Sequence, residues 1–301
     1  MSKVAIVTDG VCDLSQADID KYGIVTIPYR IIFGDEVYRI WHNGKSTLSL
    51  PEFCVKLEKA TKEDLPHTSV PTPAEFKQGF DEALAKADSV IVILISSKLG
   101  GSVQGSQNVL RNLFPDKDIT IFDSLQTMTG TGILALEAAK MAHAEKSKEE
   151  ILTRLEALRP KVRTIFTMND LEYLKKQGRL GPQREGAGDP TSGPPTIIPI
   201  VHLDDGMIKP LGVFKDQNDL IERLTSYGGK IIGKNETSDV FLSQINQHLV
   251  TDEIFSAMKQ ANGNGTQIHY QEAGFILGVY SGPKTICITY IGDFDRSWLL
   301  S

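Results

Sequence analysis

Hydroxyl and glycine residues are concentrated directly after one apolar run of the sequence. The run Val90–Ile95 has the composition of a buried strand, and it is followed by the segment SSKLGGS at positions 96–102. An ordinary turn needs only one Gly or Asp, whereas this segment brings many side-chain and backbone donors together. The segment therefore predicts a binding site for a small polar group.

None of three known glycine motifs fits this segment. A P-loop requires a lysine directly after its last glycine, and neither Gly101 nor Gly105 is followed by one; the Rossmann fingerprint fails as well. The nucleophile elbow G-x-S-x-G nearly fits around Ser102, but Gln104 stands where its final glycine belongs. The segment therefore predicts neither a nucleotide-binding site nor a hydrolase.

Polar residues also follow two further apolar runs. The run KVAIV leads into Thr8-Asp9, and ITIF leads into Asp123-Ser124, each before a predicted helix. Taken singly, such pairs are typical of helix caps. In an open parallel sheet, however, these strand ends share one edge, where helix N-termini supply N–H groups to ligands. Three polar strand ends together predict a site at that edge.

A second cluster of hydroxyl groups lies in the segment HTSVPTP at positions 67–73. Pro71 and Pro73 fix the backbone, so we expect Thr68 and Ser69 to be held in a stiff turn before the next helix. On its own, such a segment is also typical of a capping loop.

Short apolar runs that alternate with amphipathic stretches predict an α/β fold with two domains. Capping boxes open predicted helices at Ser49–Glu52, Thr72–Glu75 and Ser147–Glu150. The runs of the first half are apolar on both faces, which predicts a mostly parallel, Rossmann-like sheet flanked by helices. The later runs are closer together and more alternating, which predicts an α/β domain with a mixed sheet. We therefore predict domains at 1–158 and 159–301.

The predicted strands are Lys3–Val7, Ile24–Phe33, Val90–Ile95, Ile119–Phe122, Arg163–Met168, Thr196–Val201, Met207–Phe214, Asp239–Ile245, Thr266–Ala273, and the runs ILGVY and TICITYI within Ile276–Ile291.

Composition limits the class of protein. The chain has 301 residues and a net charge of -6, with its Lys and Arg scattered, so no basic face is predicted for nucleic acid. The three cysteines are isolated and the six histidines are single, which predicts reduced thiols and no metal site. No apolar run approaches the ~20 residues of a membrane span, and no signal-like segment follows the N-terminus. These features predict a cytoplasmic protein.

Seven motifs occur in order through nearly the whole chain: VTDG, IPYRIIFGDEVYR, TSVPTPAEF, ISSKLGGS, FDS with MTGTG after it, LEYLKKQGRL and SGP. Each motif alone is weak evidence for a family, but the seven together are specific. With them, the chain resembles the DegV family. The resemblance implies a two-domain α/β protein that holds one long-chain fatty acid between its domains, as the fatty-acid-binding subunit of bacterial fatty acid kinase does.

The resemblance also implies which residues bind the ligand. In the family, hydroxyls of the TS-x-P and I-S-S motifs hold the carboxylate, and these map onto Thr68, Ser69, Ser96 and Ser97. A carboxylate removed from water needs several hydrogen bonds, which hydroxyls and backbone N–H groups can provide. The residues that could line the acyl tail are Ile95, Leu99, Met128, Ile133 and those of the run TIIPIV. Each of them is equally typical of an ordinary hydrophobic core. Weaker candidates for the site are Thr8, Asp9, Met128 and Arg179.

The sequence departs from the family pattern in two places. Relatives carry a histidine ahead of the C-terminal Gly-Pro, where this chain has Tyr280; a phenol donates a hydrogen bond but carries no positive charge. We include Tyr280 in the expected site. After Arg179, which matches a Gly-Arg pair of the family, an apolar helical stretch is replaced by a Gly- and Pro-rich segment at 181–195.

The leading expectation is a carrier that is not an enzyme and needs no cofactor. It would present the fatty acid carboxylate to a separate kinase subunit. We also expect transient contact with a membrane and no binding of nucleic acid. The alternative is an acyl or phosphoryl transfer enzyme that acts on a small molecule through Ser97, with Lys98 or His67 as base. A third reading is a regulator without a ligand.

Overall fold

The computed structural model describes residues 3–41, 46–61, 64–168, 174, 178–179, 197–263 and 265–299. The chain divides into two compact units. The first consists of Met1–Phe53 and Asp64–Pro160, and the second of Cys54–Glu63 and Lys161–Ser301. The domain division at residues 158 and 159 stays a prediction.

The elements up to residue 158 are β1 (Val4–Asp9), α1 (Gln16–Tyr22), β2 (Val25–Ile27), β3 (Tyr29–Phe33), β4 (Glu36–Ile40), α2 (Leu50–Lys59), β5 (His67–Ser69), α3 (Pro73–Leu84), β6 (Ser89–Leu94), α4 (Ser102–Leu113), β7 (Asp118–Asp123), α5 (Thr129–His143) and α6 (Lys148–Leu158).

A four-stranded parallel sheet in the order β2-β1-β6-β7 forms the centre of the first unit. Every residue of β1 and β6 is buried, as expected for parallel strands covered on both faces. Phe76 and Phe80 of α3 pack in one apolar cluster with Val7 and Val92 of the sheet. The predicted parallel sheet is confirmed.

The predicted capping boxes open three helices, α2, α3 and α6. Thr72 and Glu75 bond reciprocally at the start of α3, and Ser147 and Glu150 do so at the start of α6. At α2 the backbone N–H of Ser49 donates to Glu52 over 3.1 Å. Each box satisfies N–H groups that the first helical turn leaves without partners.

A second sheet of the first unit is antiparallel, in the order β4-β3-β5. The single strand predicted at Ile24–Phe33 is wrong, because Pro28 lacks an N–H group and separates β2 from β3, which belong to different sheets. The predicted stiff turn at Thr68 and Ser69 is also wrong. Both residues lie on β5, which pairs with β3.

The elements of the second unit after residue 161 are β8 (Val162–Thr167), β9 (Ile198–Asp204), β10 (Met207–Phe214), α7 (Gln217–Ile231), β11 (Asn235–Ile245), α8 (His248–Ala261), β12 (Gln267–Glu272), α9 (Phe275–Ser281) and β13 (Thr285–Gly292). Six strands form a mixed sheet in the order β10-β9-β8-β13-β11-β12, where β11 and β12 are parallel and the other pairs antiparallel. The predicted mixed sheet is confirmed.

The run ILGVY, predicted as a strand, is the helix α9. Gly274 precedes this helix in an extended conformation, and Gly282 ends it with φ 86°. The Ser281 hydroxyl donates to the carbonyl of Leu277, one helical turn earlier, over 2.7 Å. A short apolar run bounded by glycines fits a buried helix as well as a strand, so periodicity could not distinguish them.

Among the described residues, no helix combines the length and apolar character needed to cross a membrane.

Candidate binding site

Polar residues end three adjacent strands of the parallel sheet at the same edge. In the register of the sheet, Thr8 lies opposite Ile93, and Asp123 lies opposite Leu94. Ser96 and Ser97 therefore follow the central strand β6 between the ends of β1 and β7. The predicted convergence of the three polar strand ends is present in the fold.

The loop after β6 is fixed by hydrogen bonds from its own backbone. The N–H of Ser96 donates to the carbonyl of Gln126 over 2.8 Å, and the N–H of Ser97 donates to Asp123 Oδ1 over 3.2 Å. The Ser96 hydroxyl is buried and accepts the N–H of Lys98, whereas Ser97 is exposed. Ser96 thus shapes the loop, and Ser97 presents a side-chain hydroxyl outward.

The neighbouring loop between β7 and α5 holds two residues in the left-handed region. Leu125 and Met128 both have φ 51°, a conformation that costs a side-chain-bearing residue about 1–3 kcal/mol and is concentrated at binding sites. The N–H of Leu125 donates to Asp123 Oδ1 over 3.0 Å. Met128, which the sequence predicts as a weaker candidate for the ligand site, is buried and lies directly before α5.

The two hydroxyls of β5 project to opposite faces of the antiparallel sheet. Thr68 pairs with Ile31 and Ser69 with Arg30, and successive strand residues alternate between faces. Ile31 is fully buried, whereas Arg30 bonds to Glu75 at the start of α3. Thr68 therefore lies on the buried face and Ser69 on the face with the ion pair.

The two hydroxyl clusters lie next to each other within the first unit. A Cβ placed on Gly101 would lie 3.9 Å from Val70 Cγ1, and one placed on Gly100 would lie 3.2 Å from the Tyr29 hydroxyl. The loop after β6 thus approaches Val70, the residue after β5, and Tyr29, the first residue of β3. Tyr29 is not among the residues that the sequence predicts for the site, although its alternation with Ile31 places it on the same face as Thr68.

Asp9 lies fully buried at the end of β1. Its Oδ1 accepts the N–H of Val11 over 3.3 Å, while Oδ2 and the Thr8 hydroxyl have no partner among the described residues. Burial raises the pKa of Asp9 to about 7, against the opposing effect of the N–H groups of Val11 and Ile95 and of the nearby Ser102 hydroxyl. The Asp9 carboxyl, with its pKa raised to about 7, therefore lies at the end of β1 beside Ile95, the residue before Ser96 and Ser97.

Two further candidates meet within the second unit. The Arg179 guanidinium lies over the ring of Tyr280, 5.9 Å from its centre, in a cation–π arrangement. The backbone N–H of Arg179 donates to the carbonyl of Leu174 over 2.9 Å. The Gly- and Pro-rich segment at 181–195, and Thr196 of the run TIIPIV, lie outside the described residues.

The three cysteines of the chain all lie in the part that the structure describes. The thiols of Cys12, Cys54 and Cys287 are free, and burial raises the pKa of Cys12. Among the residues that the structure describes, no group of three or more His, Cys, Asp or Glu side chains could hold a metal ion.

Comparison with known proteins identifies the family. A family model described as "Uncharacterised protein, DegV family" matches residues 3–293. The chain belongs to the DegV family. A DegV domain-containing protein of Caldanaerobacter subterraneus subsp. tengcongensis is 29% identical over 283 residues, which cover 94% of this chain and 96% of that protein.

Solved structures of two other proteins have the same fold as this chain. A DegV family protein from Thermus thermophilus, described for its fatty acid binding, matches with a TM-score of 0.78 and 23% identity, covering 97% of this chain and 100% of its own. A stearic acid-binding protein from Eubacterium ventriosum matches with a TM-score of 0.79 and 24% identity, covering 96% and 98%. The predicted α/β fold, with a helix-flanked parallel sheet and a second, mixed sheet, is confirmed.

Proposed function

We propose that this DegV family chain binds one long-chain fatty acid and presents its carboxylate to a separate kinase subunit, which supplies ATP and metal. The observation that carries the proposal is the approach of two hydroxyl clusters in the first unit: Gly101, in the loop of Ser97, lies against Val70, two residues after Thr68. The fatty acid binding described for the Thermus thermophilus and Eubacterium ventriosum proteins supports the same ligand class.

The head-group chemistry suits a carboxylate. Thr68 and Ser97 offer hydroxyl donors, and hydrogen bonds to a charged acceptor are shorter and stronger than neutral ones. Ser96 contributes through the loop that it holds, because its hydroxyl already accepts the N–H of Lys98. Ser69, on the other face of β5, is the more peripheral member of the proposed set.

The acyl tail needs apolar surface that begins close to the head group. Ile95, Leu99, Met128 and Ile133 are buried side chains of the two loops and of α5. We propose that they contribute to the lining. Arg179, which matches a Gly-Arg pair of the family, and Tyr280, which replaces a histidine of the relatives, stay predictions, as does a transient membrane contact for loading and release.

The first experiment is denaturing mass spectrometry of the purified protein, which should release a co-purified fatty acid. A fluorescent fatty acid should then bind with saturation and be displaced by the free acid. A protein that carries no lipid and binds none would contradict the proposal and favour a regulator without a ligand.

The kinase step is tested separately. The chain alone should neither bind ATP nor hydrolyse simple esters, and acyl phosphate should appear only when a fatty acid kinase subunit and ATP are added. Binding of ATP by the isolated chain in calorimetry would favour the alternative, a transfer enzyme that uses Ser97. Such an enzyme needs a base on the serine, and no histidine or lysine side chain of the described residues bonds to the Ser97 hydroxyl.

A further inference from the structure

Tyr29 lies at the meeting point of the two hydroxyl clusters. It is the first residue of β3 and is 3% exposed. Because Tyr29 and Ile31 are alternate residues of one strand, both side chains lie on one face of the sheet, and Ile31 pairs with Thr68. Tyr29 and Thr68 therefore occupy the same buried face, on adjacent strands.

The hydroxyl of Tyr29 lies against the loop that carries Ser97. A Cβ on Gly100 would stand 3.2 Å from this oxygen, which is closer than most side chains tolerate. Glycine at position 100 thus lets the loop approach the phenol. The backbone N–H of Gly100 donates to the carbonyl of Ser96 over 3.2 Å, so the approach is part of the same folded loop.

A phenol is suited to a buried carboxylate. Its ring fills apolar volume, while its O–H is a neutral donor that keeps the proton at physiological pH. A neutral donor strengthens binding of the anion without adding a fixed charge to the buried face.

We propose that Tyr29 is a further head-group residue, which donates its hydroxyl to the ligand carboxylate beside Thr68, and that Gly100 provides the space for it. The inference rests on the proposed fatty acid binding. It adds a ligand contact at a residue that belongs to the motif IPYRIIFGDEVYR but is not among the carboxylate-binding residues that the resemblance implies.

Tyr29→Phe tests this assignment because the substitution removes only the hydroxyl. Affinity for palmitic acid should fall about 10- to 100-fold, the loss expected for one hydrogen bond to a charged group. Affinity for methyl palmitate should change much less, so the selectivity for acid over ester should fall. Tyr22→Phe in α1, whose ring contacts His143, is the matched control and should leave both affinities unchanged.

Gly100→Ala gives a second, independent variant. The added methyl group should displace the phenol and lower acid affinity, and combining it with Tyr29→Phe should add little, because both changes remove one interaction. If Tyr29→Phe does not fold, Gly100→Ala alone decides: loss of acid selectivity supports the assignment, and unchanged selectivity overturns it.

The outcomes separate this inference from the proposed function. Wild-type protein that binds no fatty acid overturns both. Wild-type protein that binds palmitic acid, with Tyr29→Phe binding it equally well and with equal selectivity, overturns only the role of Tyr29.

Discussion

Arg30 and Glu75 tie β3 to the start of α3 across the segment that follows Thr68 and Ser69. One guanidinium nitrogen of Arg30 donates to both carboxylate oxygens of Glu75, over 2.6 and 2.7 Å. A second nitrogen donates to the carbonyl of Val70 over 3.2 Å. Glu75 also accepts the N–H of Thr72 in its capping box. The pair thereby fixes both ends of the connection between β5 and α3.

Arg30→Met should destabilise the first unit because it leaves the largely buried Glu75 carboxylate without its main cation. The side chains of Arg30 and Glu75 are only 14% and 10% exposed, so we expect a loss of about 2–4 kcal/mol in the free energy of unfolding. Urea denaturation measures it. Lys77→Met breaks an ion pair that is half exposed on α3 and should cost at most about 0.5 kcal/mol. Equal effects of the two variants would contradict the structural role of Arg30.

Asp9 should make stability fall as the pH rises towards neutrality. Burial raises its pKa from 3.8 to about 7, so between these values the folded chain keeps a proton that the unfolded chain has lost. The favourable contribution is complete below the unfolded value, declines as pH rises through the interval, and levels off above about pH 7.

Asp9→Asn should remove this part of the pH dependence because the amide does not ionise. Urea denaturation of wild type and variant from about pH 5 to about pH 8 measures the difference in slope. Asp88→Asn, at an exposed position, is the matched control and should follow the wild-type profile. Parallel profiles for wild type and Asp9→Asn would show that Asp9 ionises normally in the folded chain.

Thr68 and Ser69 lie on opposite faces of β5, so we expect their hydroxyls to contribute unequally to fatty acid binding. Thr68→Ala combined with Ser97→Ala should weaken fatty acid binding by more than tenfold, since each lost hydrogen bond to a charged group is worth about 1.5–3 kcal/mol. Ser69→Ala should have a smaller effect, because Ser69 lies on the face with Arg30. A fluorescent fatty acid titration compares the variants, with circular dichroism as the check on folding. An unchanged affinity in the folded double variant would refute the head-group assignment.

The features that sequence predicted correctly have local causes. A capping box depends on residues three apart, so Thr72 and Glu75 could be recognised directly. The polar ends of β1, β6 and β7 follow continuous apolar runs, and the rule that parallel strand ends share an edge placed them together.

The features that sequence missed depend on contacts between distant parts of the chain. β5 has only three residues and forms because it pairs with β3, a partner that no periodicity in HTSVPTP indicates. The contact between Tyr29 and Gly100 likewise depends on tertiary structure, because it forms only when the antiparallel sheet packs against the loop after β6. The run ILGVY predicts a strand but forms the helix α9, because an apolar run of this length is too short to show a period.

Chain length should decide which fatty acids bind, because every fatty acid presents the same two carboxylate oxygens to Thr68 and Ser97. Each methylene buried behind the head group contributes about 0.8 kcal/mol, so affinity should rise roughly fourfold per carbon until the available apolar surface is covered. Beyond that length the affinity should level off or fall. Titration of saturated acids from octanoate to stearate, each below its micelle concentration, measures the series, and the Thr68→Ala Ser97→Ala variant should shift all members by one common factor. A flat series would contradict the fatty acid carrier, because an enzyme for small polar substrates gains nothing from added methylenes.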